Sequence, residues 1–105
     1  MSEEKDNKKA QEIPAAFSWI PAKEGVEEVY ANFHHINWTL YDVRIRFGQI
    51  IPHPDAPPEN APWAIMEYAA VTVPWGQAKV LRDLLNESIN RYEAANGEIA
   101  VPKLP

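Results

Sequence analysis

Residues 73–97, VPWGQAKVLRDLLNESINRYEAANG, decide the fold, because only here do apolar positions keep the period of an α-helix over several turns. Ala78, Leu81, Leu85, Ser88 and Tyr92 recur at steps of three and four, and Leu84 and Ile89 widen the stripe. Lys79, Arg82, Asp83, Glu87, Asn90 and Arg91 fill the other side. The spacing predicts an amphipathic helix over 74–96 with its leucine side buried. Pro74 suits a first turn, where its missing N–H has no intrahelical partner, and Gly97 can supply the left-handed stop. Gly76 costs about 1 kcal/mol relative to alanine, so the start frays or is held by the Trp75 indole packing back. Thr72 is the nearest capping hydroxyl.

Immediately before the helix, residues 63–73 (WAIMEYAAVTV) read as a strand, with Glu67 breaking the apolar run toward solvent or an edge. Residues 51–62 (IPHPDAPPENAP) hold half of the ten prolines and read as a surface loop, since proline cannot donate to a ladder. Residues 41–47 (YDVRIRF) alternate cleanly, which points Tyr41, Val43, Ile45 and Phe47 inward and Asp42, Arg44 and Arg46 outward. Residues 28–38 (EVYANFHHINW) form an earlier strand, with Val29, Ala31 and Phe33 on one face and Tyr30, Asn32 and His34 on the other. The short link at 37–40 makes these two strands an antiparallel hairpin, although it lacks an Asn-Gly turn.

The ends are plainer. Residues 98–105 (EIAVPKLP) are extended, with Ile99 and Val101 able to pack back. Residues 13–21 (IPAAFSWIP) place Phe17, Trp19 and Ile20 between prolines, which excludes an ordinary helix. This segment is either an edge strand or an arm covering its own domain, or a docking segment for a partner. Residues 1–12 are polar and charged enough to read as a disordered tail, the arm as 13–27, and the domain as 28–105. The expected class is α+β: an antiparallel sheet of three to four strands followed by one long C-terminal helix packed on it.

Composition narrows the function. With 105 residues and a tail set aside, the core is small, and self-association that buries a further apolar face is a reasonable expectation. The absence of cysteine excludes disulfides, thiol catalysis and cysteine-based zinc sites. No apolar run approaches membrane-spanning length and no secretory pattern opens the chain, so the expected setting is the cytoplasm. A formal net charge of −5 argues against broad phosphate-driven binding of nucleic acid.

Candidate chemistry is thin. His34 and His35 are adjacent, so on a strand they point to opposite faces, and a metal site would need Asp42 or His53 from elsewhere. No cofactor or metal is expected. Tyr30, Asn32, His34, Arg44 and Arg46 form a candidate anion or nucleotide-stacking patch. Ser18 and Ser88 have no activating base at a recognisable spacing, and Asp42 with His34 is the one imaginable acid–base pair. An enzyme is not expected.

Val29-Tyr30-Ala31-Asn32-Phe33, Tyr41-Asp42-Val43-Arg44 to Phe47-Gly48, Ala78-Lys79 with Leu81 and Leu84-Leu85, then Tyr92-Glu93 and Gly97-Glu98-Ile99 are similar, in order and spacing, to a bacterial and archaeal family of uncharacterised proteins. It is the domain of unknown function family 3467. The resemblance runs from about 28 to 101 and departs at the helix start, where Pro74-Trp75 stands in place of Ser-Pro or Thr-Pro. It implies a compact sheet-and-helix domain and assigns no catalytic residue. The functional expectation is therefore a homodimeric binding or scaffold module, with Phe17, Trp19, Trp38, Trp63 and Trp75 as candidate interface aromatics. The alternative is a chaperone-like, small-ligand or nucleic-acid-binding module that uses the sheet face.

Overall fold

The computed structural model describes residues 13–55 and 59–104. The expected disordered tail lies outside the described residues. Three strands and one helix follow in order: β1 (Phe33–Trp38), β2 (Asp42–Pro52), β3 (Trp63–Pro74) and α1 (Trp75–Asn96). The chain divides into two units, Ile20–Ala78 and Met1–Trp19 with Lys79–Pro105. The first contains the whole sheet.

That sheet is antiparallel with β2 in the centre, in the order β1-β2-β3. The β1–β2 turn owes its shape to Thr39 rather than to glycine. Its amide donates to the Asp42 carbonyl at 2.9 Å, and its hydroxyl accepts from the Tyr41 and Asp42 amides at 3.1 and 3.2 Å. The same hydroxyl donates to the Asp42 carboxylate at 3.0 Å. A threonine side chain can stand in for a backbone turn in this way, so the missing Asn-Gly signal had no bearing on whether a hairpin forms. Tyr41 belongs to this turn and is exposed, not inward.

Register fixes the faces. Trp38, Val43 and Val73 are cross-strand neighbours, as are Ile36, Ile45 and Val71, and His34, Phe47 and Ala69. These nine share one face, because direct partners project to the same side of a sheet. Asn37, Arg44 and Thr72, then His35, Arg46 and Ala70, occupy the other. Between Phe47 and Gly48 the register with β3 shifts, with Tyr68 as the extra residue, which carries Glu67 opposite Gly48 on the polar face.

Several expectations are corrected. Pairing as a strand begins at Phe33 and not at Glu28; one step before it, the Asn32 amide donates to the Gly48 carbonyl at 3.0 Å and the Asn32 side-chain oxygen accepts from the Ile50 amide at 2.9 Å. A side chain there replaces the ladder that the backbone has left. No strand forms in the arm, whose turn closes by the Phe17 amide on the Pro14 carbonyl at 2.9 Å, and Trp19 is 83% exposed. Its bounding prolines remove ladder donors, so the edge-strand reading fails among the described residues. Val101 is 87% exposed and does not pack back.

The helix begins at Trp75 with no residue between it and β3. Thr72 lies within β3 opposite Arg44, too early to cap it. The far end is as the sequence expects: Gly97 has φ +91°, and its amide donates to the Glu93 carbonyl at 2.8 Å. The Asn96 side-chain amide donates to the Tyr92 carbonyl, and the Ile99 amide to the Glu93 carboxylate. Along its length α1 holds no buried residue. Of the leucine side that the periodicity turns inward, Leu85 is 54% exposed and Leu81 is also exposed, while Leu84 is half-covered. The half-covered positions are Ala78, Leu84, Glu87, Arg91 and Glu93, of which the sequence assigns Glu87 and Arg91 to the polar side.

Candidate functional site

The two faces of the sheet are the candidate surfaces, and each is set by alternation along β2. On the polar face, Arg46 and Glu67 form a two-pronged ion pair, Nε donating to Oε2 and Nη2 donating to Oε1 at 3.4 Å. The hydrogen bond from Arg46 holds the Glu67 carboxyl below the ordinary carboxylate value, with smaller attraction from the Arg46 and Arg44 charges. The same bond, aided by the Glu67 charge, raises Arg46. Arg46 is therefore engaged within the chain and is not a vacant anion receptor.

The proposed patch of Tyr30, Asn32, His34, Arg44 and Arg46 is not brought together as the sequence suggests. Arg44 and Arg46 do share a face, but His34 lies opposite Phe47 on the apolar side, its ring edge-on to the phenyl at 5.3 Å. Tyr30 precedes the strand and is exposed, and Asn32 is occupied by the Ile50 amide. The histidine that joins Arg46 is His35, its direct cross-strand partner. Counting outward from the Thr39 turn would have found it, whereas alternation within 28–38 alone gives no register to β2.

Around that pair lies a hollow of about 270 Å³ lined by Phe33, His35, Arg46, Phe47, Gly48, Ile65 and Glu67. Gly48 forms part of its floor because a Cβ there would stand 2.7 Å from Ile65 Cγ2 and 2.9 Å from the Met66 carbonyl oxygen. Its walls are mostly hydrocarbon and its charges neutralise one another, and it falls just below the volume of ordinary ligand pockets, roughly 300–1,000 Å³.

The imagined acid–base pair does not form, since Asp42 and His34 lie on opposite faces of the sheet and Asp42 is tied to Thr39. His53 Nδ1 accepts from the Asp55 amide at 3.3 Å. No group of three His, Asp or Glu side chains able to hold a metal occurs among the described residues. No helix among them is long and apolar enough to cross a membrane.

The other face carries Ile36, Trp38, Val43, Ile45, Phe47 and Val71. Val43 is 4% exposed and is the one buried hydrophobic residue among those described. Its neighbour Trp38 meets Trp75 edge-on at 5.9 Å between ring centres, and the Trp75 indole N–H donates to the Thr39 carbonyl at 3.0 Å. Two of the five interface candidates thus meet each other at one end of the sheet. Trp63 opens β3 at the other end, opposite Pro52, while Phe17 and Trp19 belong to the arm. The sequence reading missed Ile36, 58% exposed, and Val71, which continue this face. Their signal was again register.

No curated protein and no solved structure matches the chain. A family model described as "Protein of unknown function (DUF3467)" matches residues 1–101, reaching further toward the N-terminus than the resemblance at 28–101. The sheet-and-helix chain therefore belongs to the DUF3467 family.

Proposed function

We propose that the protein is a small binding or scaffold module of the cytoplasm that works as a homodimer through protein–protein contacts. One observation carries this reading: among the described residues Val43 alone is a buried hydrophobic side chain, while Ile36, Val71, Leu81, Leu85 and Ile89 stay exposed. A folded chain must offset roughly 1.5 kcal/mol of ordering cost per residue with burial worth about 25 cal/mol per Å². A second chain that covers those exposed side chains adds to that burial.

Sedimentation velocity from low to high micromolar concentration tests the proposal. A dimer mass is expected, and a folded monomer throughout would overturn it.

A further inference from the structure

We propose that two copies join edge to edge, β1 antiparallel to β1 about a twofold axis at Ile36, so that two three-stranded sheets become one continuous sheet. The contact is a specific form of the homodimer proposed above and rests on that reading. In the order β1-β2-β3, β1 has a partner on one side only, and no backbone group among the described residues bonds to its other side. An edge of this kind is a template for another strand.

The turn decides which groups line that outer side. The Thr39 amide donates to the Asp42 carbonyl, so these two are a hydrogen-bonded pair, and along an antiparallel ladder such pairs alternate with non-bonded ones. Counting back through the register, Asn37 with Arg44 and His35 with Arg46 bond toward β2. His34, Ile36 and Trp38 therefore turn their own N–H and C=O groups to the open edge.

Those three residues are spaced for self-pairing. With Ile36 opposite the partner's Ile36, His34 stands opposite the partner's Trp38, and each of the three donates one bond and accepts one. Centring the axis on His35 or Asn37 instead sets the third residue against Asn32 or Leu40, outside the strand. Direct partners project to one side of a sheet, so imidazole meets indole and isoleucine meets isoleucine on one face. On the other face His35 meets the partner's Asn37. β1 contains no carboxylate, so two chains of net charge −5 join here without setting acid against acid.

The opposite edge is a poorer join. β3 carries the Tyr68 bulge and Glu67 and ends in Pro74, features that interrupt or guard an edge. β1, FHHINW, has no proline, no lysine and no register shift against β2.

Amide hydrogen exchange on the wild-type dimer tests the contact. All five amides from His34 to Trp38 are expected to exchange slowly. With an open edge only His35 and Asn37 stay slow, while the other three exchange about tenfold faster or more. That alternation in a dimer overturns the contact.

A charge swap identifies the occupant as a second copy. Ile36→Lys and Ile36→Glu each set like charges across the twofold, and each alone is expected to dimerise about tenfold more weakly than wild type. An equal mixture sets opposite charges there and is expected to recover about tenfold in affinity over either variant. A mixture of folded variants no better than its components overturns the inference, and where circular dichroism shows that a variant has lost its sheet, exchange on the wild-type protein decides. A wild-type protein that sediments as a folded monomer removes the homodimer reading itself, whereas a wild-type dimer with the alternating pattern removes only this contact.

Discussion

The two faces of the same three strands differ in how complete they are. On the polar face Arg46 finds Glu67, and Gly48 lets Ile65 and the Met66 carbonyl approach closely. On the apolar face only Val43 is buried, and Ile36, Trp38 and Val71 stand in solvent. The polar face carries an ion pair made within the chain, while the apolar face presents Ile36, Trp38 and Val71 as exposed side chains. Charged and polar groups can be satisfied pairwise across one sheet. A hydrophobic face needs a second layer.

The largest break in this contrast is expected from Val43→Asp, which places a charge at the one buried apolar position. Cooperative thermal unfolding, followed by circular dichroism, should disappear. On the other face, Gly48→Ala forces a methyl group to within 2.9 Å of the Met66 carbonyl oxygen, a backbone atom that cannot swing aside. A loss of about 1–3 kcal/mol in denaturant unfolding is expected, and unchanged stability would show that the β2–β3 approach is looser than described. Trp75→Ala removes the edge-on contact with Trp38 and the hydrogen bond to Thr39. It should cost about 2 kcal/mol, with Trp75→Phe recovering part of it.

The smallest effect concerns the ion pair. The Glu67 carboxyl titrates below its ordinary value in the folded chain, so its contribution is present above that ordinary value and is lost as pH falls through the depressed one. Both partners are well exposed, which keeps the contribution small. Carboxyl NMR should place Glu67 below a free glutamate, and Arg46→Gln should move it back up. A Glu67 unaffected by that substitution would remove the pair from the polar face.

Helix and strands were legible because period and punctuation agree there. Val43, Ile45 and Phe47 alternate with Asp42, Arg44 and Arg46, and Gly97 stops a stripe that Pro74 precedes. Pairing was less legible. The Thr39 turn determines that His35 and not His34 stands beside Arg46, and turn geometry made by a threonine hydroxyl has no strong local signature. The Tyr68 bulge, which moves Glu67 to the polar face, depends on cross-strand contacts that no single segment encodes. Amphipathicity likewise says that a stripe wants cover without saying what supplies it, and of the leucines read as buried Leu81 and Leu85 are exposed. The family match extends over 1–101 and adds no activity to these residues.

The central claim is that the fold is completed by a second copy, and the dependence of thermal unfolding on protein concentration tests it most directly. Dissociation coupled to unfolding makes the midpoint rise with concentration. A steady rise from nanomolar to high micromolar protein is the expected result. A sharp, cooperative midpoint that stays fixed over that range would contradict it.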